Sequence, residues 1–399
     1  MKNLLFVDDE PKVLQGLQRQ LYNMRNDWKM TFLDGGPKAL EYLAANPVDV
    51  IVTDMMMPAM NGAQLLTEVM KRHPKTVRIV LSGHAEREAI MQLVGPAHQY
   101  LSKPCDAEEL RGAIARAFAL RDLLGNEQLK QLATRVKCLP SVPDLYRQLN
   151  EEFRKDDPSP ERVGEIISHD IGMTSKILQL VNSAFFGLPQ PINNPAEAVM
   201  YLGLTTVRSL TISLQIFSQF DQQVCREFSV SALAHHCWMT GVSARRVAQA
   251  EQLEARILDQ CFLAGLLHDV GQLILAAGMP GEYQEVLRQA KSGNIATVNV
   301  EHERFGATHA DVGAYLLGLW GLPNPIIEAV VMHHRPASCV NPKLSPVVAV
   351  HVADVFMHER PGTSTELPPP ALDLELLARL GLQDRVPVWR ELCLGDLEN

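Results

Sequence analysis

Four short apolar runs in the first 105 residues each stop at a polar residue, and this constrains the fold more than any other feature of the chain. Leu4–Val7 runs into Asp8, Asp9 and Glu10, Val48–Thr53 into Asp54, Val77–Leu81 into Ser82, and Tyr100–Leu101 leads to Lys103 and Pro104. Runs this short and this apolar read as strands buried on both faces. Helical spacing separates them, over Pro11–Tyr22, Lys38–Ala45, Gly62–Arg72, Glu86–Val94 and Asp106–Leu124. Five strands alternating with five helices over residues 3–124 predict a parallel sheet, covered on both faces and joined by right-handed crossovers. Open sheets of this kind hold their ligands beyond the carboxyl ends of the strands. Each of the polar residues falls there.

The residue types fit one chemistry. A carboxylate attacks phosphorus only when the repulsion between two anions is cancelled, and a divalent cation held by neighbouring acids does this while orienting the donor. Asp8 and Asp9 offer acidic oxygens, Asp54 a nucleophile and Met56 a backbone carbonyl. Lys103 is a compact cation able to meet phosphoryl oxygens, and the Ser82 hydroxyl can turn toward a new anion.

These fragments resemble a two-component receiver domain. The carrying motifs are Asp8-Asp9-Glu10, Asp54-Met55-Met56-Met57-Pro58 with Gly62, Leu81-Ser82-Gly83, and Tyr100-Leu101-Ser102-Lys103-Pro104. The resemblance implies that Asp54 accepts phosphate from a histidine kinase. It also implies that Asp8, Asp9, Asp54 and the Met56 carbonyl bind Mg²⁺, that Ser82 and Tyr100 form a switch pair, and that Lys103-Pro104 is a cis bond. Phosphate drawing Ser82 inward, with Tyr100 filling the space behind, would be a small charge event biasing a two-state element. The stripe Leu110, Ala113, Ala117, Leu120, Leu124 packs on its own sheet in its first half. Beyond Phe118 it is a candidate connector or homodimer contact.

Composition narrows the remaining classes. The net charge of −9 offers no basic footprint for DNA or an anionic membrane. Seven cysteines without a CxxC pair fit reduced thiols better than a disulfide framework. The first residues meet Asp8 and Asp9 too early for a signal peptide. No uninterrupted apolar run nears the ~20 residues that span a bilayer. A cytoplasmic protein is expected.

A second pattern begins at Leu139-Pro140-Ser141-Val142-Pro143, where i, i+3, i+4 apolar spacing predicts helices almost throughout. Nine of the thirteen histidines lie between 235 and 358. His236, His268, Asp269, His309, His333, His334 and Asp354 are candidate ligands, and imidazole with carboxylate suits Mn, Fe or Zn. His268-Asp269 lies in the apolar stretch Phe262–Val270, where a carboxylate is costly unless paired or metal-bound. Adjacent histidines on one helix point about 100° apart, so the two members of His235-His236, and of His333-His334, are not expected to share one ion.

Residues 139 to about 340 resemble an HDOD domain, a divergent and usually non-catalytic relative of HD phosphohydrolases. The motifs are Leu139–Pro143, Ile167-Ser168-His169-Asp170, Leu180–Gly187 and Ala198–Leu204. The candidate ligands also resemble the skeleton of HD-GYP cyclic-di-GMP phosphodiesterases. Two features depart from it: Gln272 stands where those enzymes carry a Lys, and Arg335-Pro336-Ala337 replaces the GYP signature.

The expected architecture is α/β plus all-α: a five-stranded, flavodoxin-like parallel sheet followed by an HD-related helical domain. The expected boundaries are a receiver at 1–124, a helical linker at 125–138, an output domain at 139–358 and a tail at 359–399. Two outputs follow from the resemblances. In the first, the HDOD module acts by contact with a downstream signalling protein. In the second, the receiver gates a metal-dependent phosphodiesterase of cyclic-di-GMP.

Overall fold

The computed structural model describes residues 2–82, 96–103, 105–123, 126–136, 140–141, 143–155, 157–182, 188, 190–204, 207–208, 218–219, 228–339, 344–360 and 370–395. The chain divides into two compact units.

The first unit is built on β1 (Lys2–Val7), β2 (Trp28–Leu33), β3 (Val50–Asp54), β4 (Val77–Ser82) and β5 (Gln99–Ser102), ordered β2-β1-β3-β4-β5. Every neighbouring pair is parallel. The helices are α1 (Pro11–Gln20), α2 (Gly36–Ala45), α3 (Gly62–Arg72), α4 (Ala107–Leu123) and α5 (Glu127–Arg135). The helix expected at Glu86–Val94 lies outside the described residues. β3 is buried along its whole length, Thr53 and Asp54 included, as a central strand of such a sheet is. Edge strand β2 is half-exposed from Met30 to Leu33. The chain leaves β1 toward β2 and returns to β3 on its other side, so the strand order reverses between β1 and β3. Asp8 and Asp54 end those two strands, at the switch point where such sheets bind ligands.

Local chemistry fixes the loop after Asp54. Gly62 N–H donates to the Met55 carbonyl at 2.8 Å, and a Cβ at Gly62 would collide with the Asp54 carbonyl. Asn61 and Gln64 then close a reciprocal capping box at the start of α3, a device worth about 1 kcal/mol. On α4, Leu110, Ala113 and Ala117 are fully buried, the expected packing for the first half of the stripe. Side chains beyond Phe118 lie outside the described residues.

The second unit is helical, apart from one parallel pairing of β6 (Pro140–Ser141) with β7 (Ser218–Gln219). Its helices are α6 (Pro143–Glu152), α7 (Pro160–Ser168), α8 (Ile171–Val181), α9 (Pro195–Leu202), α10 (Val230–Ala250), α11 (Ala255–Leu267) and α12 (Val270–Gly278). They continue with α13 (Pro280–Gly293), α14 (Thr297–Phe305), α15 (His309–Leu319), α16 (Asn324–Met332), α17 (Pro346–Glu359), α18 (Leu374–Arg379) and α19 (Val386–Leu394). Helices α10, α11, α16 and α17 pack on one another. Two glycine pairs set the closest approaches. A Cβ at Gly265 would lie 2.7 Å from Gly241 Cα, and one at Gly313 would lie 3.1 Å from Gly271 N. Without side chains there, α10 meets α11 and α12 meets α15 backbone to backbone.

Ala255–Gly278 is apolar and long enough to cross a bilayer by composition, and 83% of its most apolar window is buried inside the protein. It is two helices, not one. The helix expected through Phe262–Val270 stops at Leu267, and α12 restarts at Val270. The break turns His268 and Asp269 into the same interior space.

The C-terminal segment forms short helices that join this unit. Trp389 on α19 is fully buried, and its indole N–H donates to Glu251 Oε1 at 2.9 Å. Arg385 Nε donates to the same oxygen at 2.7 Å. Trp389→Ala is expected to destabilise the helical unit by about 3–5 kcal/mol, read as a lowered midpoint in thermal unfolding. An unchanged midpoint would mean that α19 is not part of the cooperative core.

Candidate functional site

Two clusters of titratable side chains stand out. In the first unit Lys103, one residue past β5, reaches across the sheet end. Its Nζ donates to Asp8 Oδ2 at 2.7 Å and pairs with Asp54 Oδ1. Both acids are buried. The remaining oxygens are held by backbone: Glu10 N–H donates to Asp8 Oδ1 and Met56 N–H to Asp54 Oδ2, each at 2.9 Å. Burial raises the Asp54 pKa despite the lysine beside it. Burial alone would lower that of Lys103, but Asp54 and Asp8 outweigh it and hold the ammonium above its ordinary value. Asp9 is half-buried next to Asp8, and Met56 is exposed. The arrangement presents convergent carboxylate oxygens with an ammonium, which suits a divalent cation and a phosphoryl group.

Tyr100 is buried on β5 beside Val80 of β4, and burial pushes its phenol pKa upward. Ser82 pairs with Ser102 at the ends of these strands. The Ser82 side chain and Pro104, with the expected cis bond, lie outside the described residues.

The second cluster is deep in the helical unit. α10 supplies His236. The α11–α12 break supplies His268 and Asp269, the start of α15 supplies His309, the end of α16 supplies His333 and His334, and α17 supplies Asp354. All seven expected ligands converge. His236 Nε2 lies 3.1 Å from Asp354 Oδ1, with His268 Nε2 3.5 Å from the same oxygen. Asp269 approaches His268 Nε2 at 3.3 Å through Oδ2, and His309 Nε2 at 3.0 Å through Oδ1. His333 Nε2 is 3.7 Å from Asp269 Oδ1, and the Nε2 atoms of His334 and His309 lie 3.1 Å apart. Three overlapping ligand groups result among the described residues: His236, His268 and Asp354; beside them Asp269, His309, His333 and His334; and, sharing His268 and Asp269, a third with the buried Cys237, which was not among the expected residues.

Several ring nitrogens are fixed from behind. His268 Nδ1 bonds the Gly265 carbonyl at 2.6 Å, and His333 Nδ1 bonds that of Val330 at 2.7 Å. His309 Nδ1 bonds Glu301 Oε2 at 2.8 Å. Each of these contacts leaves Nε2 facing the interior, the arrangement that outer partners impose on metal-ligating imidazoles. Yet His268 Nε2, His333 Nε2 and Asp269 Oδ1 make no hydrogen bond of acceptable geometry while fully buried. Orphaned buried polar atoms are costly, and three of them sharing one space fit a cation.

The electrostatics agree. Burial would raise the pKa of Asp269, but His268 and His309 hold it well below the carboxylate range. Burial would likewise raise that of Asp354, but His358 and the bonds from His236 and His268 outweigh it. Burial and His309 push His334 down to about 3. Burial also pushes His236 and His333 below the ordinary imidazole value, so the two carboxylates are held ionised beside imidazoles that burial keeps neutral, the forms that ligate a metal.

Glu301 and His358 belong to this cluster and were not among the expected residues. Glu301 is fully buried beneath His309 and accepts the Tyr283 hydroxyl at 3.3 Å. His358 stacks edge-on to His236 at 4.7 Å between ring centroids. His351 lies outside the ring of ligands: its Nδ1 bonds the His333 carbonyl at 2.7 Å, and its Nε2 accepts from Asp373 N–H at 3.0 Å. Gln272 is buried nearby on α12, with its Nε2 unpartnered.

Comparison with known proteins follows the same division. The response regulator receiver domain model matches residues 4–115, and the HDOD domain model matches residues 139–336. An uncharacterized protein of Treponema pallidum is 26% identical over 207 residues, covering 51% of this chain and 39% of that protein. The response regulator protein PilR of Pseudomonas aeruginosa is 34% identical over 119 residues, 30% of this chain and 26% of that one. The match therefore spans well under half the length of either relative. The crystal structure of the MmoQ response regulator from Methylococcus capsulatus is 24% identical, with a TM-score of 0.48, covering 65% of this chain and 98% of that one. With an acidic strand-end pocket in one matched region and a buried histidine cluster in the other, the chain belongs to the response regulators that join an N-terminal receiver domain to an HDOD domain.

Proposed function

We propose that this is a cytoplasmic response regulator that takes a phosphoryl group on Asp54 from a histidine kinase. Its HDOD region would hold a transition-metal centre and act as an HD-type phosphohydrolase. The reading of the receiver is supported by Lys103 gripping both Asp8 and Asp54. Mg²⁺ would be held by Asp8, Asp9, Asp54 and the Met56 carbonyl, where it would neutralise the incoming anion. Ser82 and Tyr100 would carry the state of Asp54 to the rest of the unit.

The observation that carries the output reading is the convergence of three buried atoms that make no hydrogen bond, Asp269 Oδ1, His268 Nε2 and His333 Nε2. Fe, Mn or Zn suits this donor set. Two such ions would supply a Lewis acid and an activated water for phosphoester hydrolysis. The chain's own residues hold the imidazoles in the required tautomers and exclude bulk solvent from most of the centre. A cyclic-di-GMP phosphodiesterase is the specific form of this reading.

The second reading, an output acting by contact with a downstream protein, is favoured by Gln272 and by Arg335-Pro336-Ala337, which replace phosphate-contacting elements of the HD-GYP pattern. One experiment separates the two. The protein is purified anaerobically, its metal content measured, and cyclic-di-GMP hydrolysis assayed with and without a phosphoryl mimic. Bound metal with turnover supports the enzyme; metal-free protein without turnover supports the interaction module. If the centre is real, Glu301→Gln is expected to weaken metal affinity about 10–100-fold, measured by chelator competition. Unchanged affinity would make Glu301 a structural hydrogen-bond partner only.

A further inference from the structure

We propose that the cavity beside His334 binds a nucleoside monophosphate, with Arg335 as its phosphate contact. This rests on reading the histidine cluster as a metal centre and departs from cyclic-di-GMP as its ligand, in favour of one phosphate on one nucleoside. His334 is half-buried, whereas His236, His268, His309 and His333 are fully buried. Among the described residues, a cavity of 490 Å³ opens onto this exposed edge. Its size lies in the lower half of the range for small-molecule sites.

The lining is chemically mixed. Ile295, Val298 and Val331 give apolar surface suited to a base, while Asn299 and Glu303 can meet hydroxyl and amine donors. His334, itself a member of the histidine cluster, and its neighbour Arg335 complete the lining. Arg335 is the one permanent cation among the described lining residues, enough for one phosphate and short of what a cyclic dinucleotide with two would recruit. Its guanidinium is held in place: Nη2 donates to Asp311 Oδ1 at 2.8 Å. Asp311 is itself pinned by the Thr308 N–H at 2.9 Å and the Thr308 hydroxyl at 2.8 Å. One of the five guanidinium donors is used there, and the side chain is 52% exposed, so a planar fork remains for phosphate oxygens.

The test is calorimetric titration of the full-length, manganese-reconstituted protein with GMP and with guanosine. GMP is expected to bind at least about tenfold tighter than guanosine, and Arg335→Ala to lose about tenfold or more for GMP with manganese content unchanged. Arg335→Lys, which keeps the charge without the fork, should fall between. GMP binding no tighter than guanosine, or Arg335→Ala binding GMP like wild type, would overturn the proposal. Protein that binds manganese but not GMP sinks this pocket and leaves the metal centre standing. Protein that binds GMP through Arg335 but no manganese does the reverse.

Discussion

Asp269→Ala empties the histidine centre: metal content measured by elemental analysis of anaerobically purified protein is expected to fall to a small fraction of the wild-type ratio. Asp269 is the residue that touches both ligand groups, through Oδ2 to His268 and Oδ1 to His309 and His333. Removing it leaves Asp354 as the one carboxylate in the ligand set, and that carboxylate sits against His236 and His268. Loss of an outer-shell partner already costs about 10–100-fold in affinity, so loss of this carboxylate should cost more. Asp269→Asn preserves the shape of the side chain and should move in the same direction. An unaltered metal-to-protein ratio in both variants would return these residues to a hydrogen-bonded core.

Asp54→Asn should abolish covalent labelling by a small phosphodonor such as acetyl phosphate. The reaction forms a bond from an Asp54 carboxylate oxygen to phosphorus as the donor's leaving group departs, and an amide cannot take that role at a useful rate. The substitution leaves Lys103 paired with Asp8 at 2.7 Å, so the pocket retains its cation and the sheet its packing. Acid-labile label persisting in the variant would move the acceptor to another carboxylate.

The sheet was legible because its inner strands are buried on both faces and read as short, mostly apolar runs, with Arg78 the one charge inside β4. Gly62–Arg72 forms a helix over the range its spacing indicates, and Ala107–Leu123 is helical within the expected Asp106–Leu124, whose last residue lies outside the described ones. β2 was the least visible strand, since an edge position tolerates Lys29 and half-exposed side chains. In the histidine cluster, helical geometry correctly separates His235 from His236: the first is exposed and the second buried. The same rule does not apply to His333 and His334, because α16 ends at Met332 and both side chains turn inward beyond it. Glu301 was hidden for a different reason. In Val298–Phe305 it reads as one more charge on a solvated helix, and only the fold brings it under His309, eight positions later. His351 and Asp354, three apart on α17, divide their work between the backbone of His333 and the imidazoles.

The contact of Asp373 with His351 sets a practical boundary on dissection. A fragment cut at residue 336, the end of the HDOD match, would lose Asp354 together with the whole of α17. One cut after α17 would keep Asp354 but strip away the amide that steadies His351, and with it the brace behind His333. Isolated pieces of this protein should therefore be carried through Gly395 before any lack of metal in them is read as a property of the intact molecule.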